Sequence, residues 1–348
     1  MMQKEGNRYG VHRVLEPEGV LPQPAVRLDN DFSEIYDNEI LCDVSALNID
    51  AASFADIKDR AGDDPKKVAR IMTDIVNKYG KHQNPRTGSG GMFIGKVARI
   101  GDALKGRINL KEGDRIASLV SLSLTPLRVD QILAIHIDTD QVDIKGQAVL
   151  FESGVWAKLP EDLPERLALA VLDVAGAPAQ VDRLVRPGDT VAVIGARGKS
   201  GLLCCYKAKQ KAGRDGRVIA IIHREEGKED VQNAPFVDDV IVGEADRALD
   251  LLGRIAQATG GKLCDTVINC ASRKDCEMGA ILIAKDSGKV YFFSMATSFT
   301  KAALGAEGIG KDVDMIIGNG YCAGHAELAL EIMRQSAYLR DLYIKRYC

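Results

Sequence analysis

The second half of the chain alternates short unbroken apolar runs with amphipathic stretches. Thr190 to Ile194, Arg217 to His223, Asp239 to Val242, Thr266 to Cys270 and Lys289 to Phe293 read as strands buried on both faces, being short, rich in β-branched residues and bounded by turn formers. Helical spacing fills the intervals, over Leu202 to Ala212, Arg247 to Thr259 and Cys276 to Lys285, after an apolar helix from Leu163 to Val174. Such alternation predicts parallel strands joined by crossover helices, a doubly wound sheet. The first half differs. Glu39 to Val44, Gly95 to Ile100, Asp114 to Ser121 and Gln131 to Ile137 are short strand patterns separated by Gly, Pro and Asp turns, which predicts a β-rich domain. One helix interrupts it: Asp64 caps it, Pro65 fits its first turn, Val68, Ile71, Met72, Ile75, Val76 and Tyr79 form its apolar stripe, and Gly80 stops it. The expected fold is α/β in two domains: a β-rich domain over 1–158 with a return segment at 319–348, and a doubly wound domain over 159–318.

Composition narrows the function classes. With 46% hydrophobic and 27% charged residues among 348, the chain has the make-up of an ordinary soluble protein with room for two cores. A formal net charge of −3 argues against nucleic acid or an anionic membrane as partner. No apolar run approaches a membrane span, and MMQKEGNRYGVHRV lacks the apolar centre of a signal peptide, so a cytoplasmic location is expected. The eight cysteines form no CxxC pair, which disfavours a zinc knuckle or a disulfide scaffold. Most, including Cys204 and Cys205, read as small buried hydrophobes.

The strand at 190 runs into VAVIGARGKSG, residues 191–201. Gly198, Lys199 and Ser200 have the spelling of a P-loop tail, but Val193 stands where a P-loop needs its first glycine, and a β-branched strand residue does not open a wide loop of amides. Glycines fall instead at 195, 198 and 201, between a strand and a helix. There they let the backbone approach a pyrophosphate at a helix N-terminus, which points to a dinucleotide. Arg197 and Lys199 add positive charge beside the turn, and Asn269, near the end of the strand pattern at 266–270, joins the expected cofactor set. The next strand ends in Ile222, His223, Arg224 and Glu225. Arg224 suits a 2′-phosphate and Glu225 a ribose hydroxyl pair, so both NAD and NADP stay open. In the first half, the polar loop KHQNPRTGSGG after the helix offers His82, Arg86 and Ser89 as pocket residues.

Four ordered segments resemble the medium-chain dehydrogenase/reductase superfamily: GKVARIG with KEGDRI, QAVLFESGVWAKLPEDLP, PGDTVAVIGARGKSG and MIIGNGYCAG. That resemblance implies a GroES-like catalytic domain joined to a Rossmann domain, and a homodimer through an edge strand expected near Lys289 to Phe293. HRVLEPEGVLPQPAVRLDNDFSEIYDNEILCDVSALNIDAASF and GKHQNPRTGSGGM resemble more narrowly the family of L-erythro-3,5-diaminohexanoate dehydrogenases of lysine fermentation. It implies oxidative removal of the 3-amino group with hydride transfer to a nicotinamide cofactor. Where zinc members of the superfamily carry Cys, His and Cys ligands, this chain aligns Asn48, Gly91 and Asp173, which implies no metal.

By the same alignment Asp50 and Asp173 border the cleft, while Asp50 also reads as the cap of a short segment, AASFADI, and Asp173 as a helix carboxylate paired with an arginine such as Arg183. An alkylammonium, with a pKa of about 10, must lose a proton before hydride can leave its carbon, so a base is required. Asp173, Asp50 and His82 are the expected catalytic set, with Asn48 orienting substrate and Arg86 meeting its carboxylate. The competing classes are a zinc-independent quinone or enoyl reductase, which would want an apolar cleft, and a nucleotide sensor without turnover.

Overall fold

A computed structural model describes residues 3–318 and 320–348. The chain divides into two compact units, one running to Asp173 and including Tyr347–Cys348, the other Val174–Arg346.

In the first unit a small hairpin-like pair, β1 (Val14–Glu16) and β2 (Arg27–Leu28), precedes the long strand β3 (Glu39–Asn48). Two helices follow, α1 (Ala51–Ala61) and α2 (Pro65–Tyr79), then β4 (Met92–Ile100), β5 (Arg115–Ser118), β6 (Leu127–His136), β7 (Gln141–Phe151), β8 (Trp156–Lys158) and α3 (Glu165–Leu172). The six strands from β3 to β8 form one sheet in the order β6-β7-β3-β4-β5-β8, with every pairing antiparallel. The helix α2 has the bounds its sequence signals predict. The Asp64 carboxylate accepts from the Lys66 amide at 2.9 Å, and Gly80 closes the helix at φ 67. Its buried stripe, Val68, Met72, Ile75 and Val76, packs toward β6. Each such side chain removed from water contributes about 1.5–3 kcal/mol. The helix α1 is the element that sequence reading reduced to a short capped segment; only Phe54, Ile57 and Ala61 of its apolar residues are buried, too sparse a stripe to announce eleven helical residues.

The second unit opens with α4 (Gly176–Leu184) and alternates β9 (Thr190–Ile194), α5 (Lys199–Ala212), β10 (Arg217–Ile222), α6 (Glu229–Gln232), β11 (Asp239–Val242), α7 (Ala248–Thr259), β12 (Cys264–Asn269), α8 (Glu277–Ile283), β13 (Ala284–Phe292), α9 (Phe299–Gly308) and β14 (Val313–Ile317). All six strands are parallel, in the order β11-β10-β9-β12-β13-β14. Counted from β9 this is 3-2-1-4-5-6, the Rossmann order, with its switch between β9 and β12. Two helices complete the chain, α10 (His325–Gln335) and α11 (Ala337–Tyr347), and α10 packs on α4 and α5.

One expectation needs correcting. The strand around Lys289–Phe293 is not an edge: β13 bonds to β12 on one side and β14 on the other. The segment Val313–Ile317 supplies that sixth strand, so β14 holds the edge.

Candidate active site

In the first unit, β3 ends at Asn48 and the chain turns at once into α1. Asp50 makes that turn possible: its Oδ1 accepts from the Ser53 amide at 3.0 Å and caps the helix, a contact worth about 1 kcal/mol. The Ile49 amide donates to the Asp140 carbonyl at 2.9 Å, which ties the end of β3 to the tip of the β6–β7 hairpin. The loop after α2 crosses this same point. A Cβ on Gly91, at φ 100, would lie 2.0 Å from the Asn48 carbonyl oxygen, and one on Gly90 would lie 2.3 Å from that of His82. Only glycine allows so close a crossing. Loop and helix are also clasped by Ser53 Oγ to Ser89 Oγ at 2.9 Å and by Asn84 Nδ2 donating to the Ser53 carbonyl at 3.2 Å.

Three sequence-predicted residues come together here. Asn48 and His82 are fully buried and Asp50 is half-buried. Both amide atoms of Asn48, both ring nitrogens of His82 and Oδ2 of Asp50 are shielded from water yet have no hydrogen-bond partner. More than about 90% of buried polar groups in folded proteins are bonded, and each orphan costs about 1–3 kcal/mol. Such a convergence makes this group the candidate site for a polar ligand. Burial pulls the His82 imidazole down to about 4, while the nearby Asp50 charge and the backbone at Gly90 and His82 pull the other way. At neutral pH the set is therefore a neutral imidazole, an amide and one open carboxylate oxygen. It can meet a cation at Asp50, accept or donate a proton at His82 and orient either through Asn48.

The remaining expected residues lie otherwise. Arg86 is mostly exposed, and its Nη1 sits 2.8 Å from Asp56 Oδ1 on α1, so its charge is spent at the rim. Asp173 occupies the C-terminal end of α3, half-buried, its amide donating to the Leu169 carbonyl at 3.1 Å.

In the second unit, β9 delivers Gly195 at φ 77, where a Cβ would press on the Ala271 backbone at 2.8 Å. A Cβ on Gly201 would lie 2.2 Å from the Gly195 carbonyl oxygen, so the first turn of α5 packs directly on the glycine turn. Gly198 is the N-cap of α5, with Lys199 and the nearly buried Ser200 following. Val193 is fully buried in β9, so the tight turn leaves no room for a P-loop. Asn269, at the end of β12 and in register with Ile194, holds the Ala271 amide at 3.1 Å through Oδ1. Arg197 lies 3.7 Å from Asp230, its guanidinium against Gly227, and its carbonyl accepts from Arg346 at 2.8 Å. Arg224 is exposed beyond β10 and pairs with Glu226 at 3.5 Å. Glycine turn, helix N-terminus and switch point coincide, and that is where open parallel sheets bind dinucleotides.

Residues 12–160 match the family model described as the L-erythro-3,5-diaminohexanoate dehydrogenase N-terminal domain. The L-erythro-3,5-diaminohexanoate dehydrogenase of Acetoanaerobium sticklandii is 55% identical over 343 residues, 99% of each chain, and that of Fusobacterium nucleatum 53% identical over 344 residues, again 99% of each. Among solved structures, a mycobacterial protein, Rv1454c, complexed with NADPH is similar in fold, with a TM-score of 0.55 at 18% identity over 96% of this chain and 88% of that one. An alcohol dehydrogenase from Thermus is likewise similar, with a TM-score of 0.52 at 19% identity over 88% and 84%. At that degree of identity, sustained from end to end, the chain belongs to the L-erythro-3,5-diaminohexanoate dehydrogenase family.

Proposed function

We propose that this protein oxidises L-erythro-3,5-diaminohexanoate at C3, with water, to 5-amino-3-oxohexanoate and ammonium, reducing a nicotinamide cofactor. The observation that carries this reading is the group of orphaned buried polar atoms on Asn48, Asp50 and His82, which suits a polar cationic substrate. An alkene or quinone reductase would have no use for a carboxylate and an imidazole in that place.

When bound, the cofactor supplies the oxidised nicotinamide that takes the hydride from C3. Gly195, Gly198 and Gly201 with the first amides of α5 would hold its pyrophosphate, and Arg197, Lys199, Ser200 and Asn269 line the same end of the sheet. Arg224 sets the preference between NAD and NADP. The glycine positions fit such a group, since a Cβ at 195 or 201 would meet backbone within 3 Å.

Asp50 Oδ2 receives the C3 ammonium, and neutral His82 accepts one of its protons, freeing the nitrogen lone pair that hydride departure requires. The Asp50 carboxylate steadies the imidazolium, which the lowered proton affinity of His82 makes a transient carrier of the proton. Asn48 orients the amine and the water that later replaces it. Asp173 is assigned to the C5 ammonium. Arg86, engaged with Asp56, is left outside this set. The domain reading of 1–158 with 319–348 against 159–318, a cytoplasmic location and a homodimer belong to the same proposal; the edge strand β14, with Ile317 exposed, supplies the dimer contact.

The test is absorbance of reduced nicotinamide when purified protein meets the diamino acid at mildly alkaline pH, with NAD and with NADP in turn. Reduction with either is the expected result. Absence of reduction with both, in protein that binds a dinucleotide by calorimetry, rejects the reading.

A further inference from the structure

A fourth orphan stands beside the three already described. Gln141 begins β7 directly opposite Asn48 in the antiparallel β3–β7 register, so the two side chains share one face of the sheet. Gln141 is almost wholly buried. Its Oε1 accepts from Arg166 Nη1 at 2.8 Å, and Arg166 Nη2 is braced on Asp143 Oδ2 at 3.2 Å, two residues further along β7. A guanidinium only donates, so the amide atom facing it must be the oxygen. The amide is thereby fixed in one orientation. Its Nε2, the end turned from Arg166, is buried without an acceptor.

Resting on the substrate reading above, the geometry points to Gln141 as the residue that binds the substrate carboxylate, through Nε2, with Arg166 as the positioning residue that aims it. The assignment follows from donor and acceptor roles. A primary amide nitrogen donates two protons and accepts none, and the two ammonium groups of the substrate are donors as well. The carboxylate is the one group that only accepts. The C3 amine after proton loss also accepts, but a donor there would tie up the lone pair that hydride departure needs. The guanidinium behind the amide adds positive potential, and it fills the place left by Arg86, whose charge is held at the rim by Asp56.

The test compares Gln141→Leu, which is close in size, with the wild-type full-length protein, using the diamino acid and also pentane-2,4-diamine, which keeps both amines and lacks the carboxylate. The expected result is a KM for the diamino acid raised about tenfold to a hundredfold, the loss of one charge-assisted bond, with kcat lowered no more than a few-fold. The competitive inhibition constant of the diamine should move less than twofold. Equal weakening toward both compounds would mean that Gln141 only supports the fold, and an unchanged KM would mean that it meets no substrate; either overturns the proposal. Should Gln141→Leu fail to fold, Gln141→Glu keeps the contact to Arg166 and sets a negative charge against the carboxylate, with a larger KM increase expected. A wild-type protein inactive on the diamino acid with both cofactors is a separate outcome, which rejects the substrate reading itself.

Discussion

His82 lies buried within the electrostatic reach of the Asp50 carboxylate, and neither ring nitrogen of the one nor Oδ2 of the other has a partner. Burial lowers the proton affinity of the imidazole and the carboxylate partly restores it, leaving a pKa of about 4. The fold therefore holds a neutral ring, whereas an unfolded chain titrates its histidine near about 6.5. Between those values the unfolded state binds more protons, so stability is undiminished above about pH 6.5 and is lost as pH falls toward 4, by about 3 kcal/mol from this residue. Urea midpoints measured from pH 7 to pH 4 should show that fall, and His82→Gln should flatten it. The same variant should lose most of its turnover at every pH.

Asp50 serves the helix with one oxygen and is left open at the other. Asparagine caps helices about as well as aspartate but carries no charge. Asp50→Asn should therefore stay within about 0.5 kcal/mol of wild type in denaturant titration. Its kcat/KM should fall about a hundredfold or more, because the ammonium loses its counter-charge. A variant that unfolds with its activity per folded molecule intact would assign Asp50 to capping alone.

The three glycines of the turn between β9 and α5 are not equivalent. A Cβ at 201 would meet the Gly195 carbonyl oxygen at 2.2 Å and the Ala196 Cα at 2.7 Å, both backbone, while one at 198 has its nearest neighbour at 3.4 Å. Gly198 also has φ −71, open to any residue. Gly201→Ala should raise the cofactor dissociation constant more than about tenfold, a cost of at least about 1.4 kcal/mol, and lower the melting temperature. Gly198→Ala should be much milder in both. Isothermal titration with NAD and NADP reads the first quantity directly.

Two arginines outside the buried groups test the limits of the site. Arg86 is largely exposed and paired with Asp56, so Arg86→Ala should change KM for the diamino acid less than about threefold. Arg224, exposed beyond β10, should matter only to a 2′-phosphate: Arg224→Ala should weaken NADP about tenfold and leave NAD nearly unaffected. Initial-rate titrations with each cofactor separate the two outcomes.

Local order was legible wherever neighbours in sequence carry the physics. Asp64, Pro65 and Gly80 announced the bounds of α2, and the apolar runs at 190–194 and 239–242 announced β9 and β11 residue for residue. The glycine spacing located the tight turn between β9 and α5, because strand, turn and helix N-terminus there lie within about a dozen residues of each other. The group of buried polar atoms was legible only as separate names. Asn48, Asp50 and His82 could each be singled out, but a loop histidine between polar neighbours carries no sign that it will be fully buried.

That burial comes from Gly90 and Gly91 letting the loop cross the end of β3, a contact between segments some forty residues apart. Gln141 left no mark at all, since its meaning depends on a cross-strand partner at position 48 and a guanidinium at position 166. Likewise the edge of the parallel sheet passed from β13 to β14 when a segment with no strong strand pattern added itself to the order. Periodicity, capping and turn chemistry are short-range and were determined by the sequence alone. Which polar atoms end without partners, and which strand ends without a neighbour, are properties of long-range register, and only the folded chain decides them.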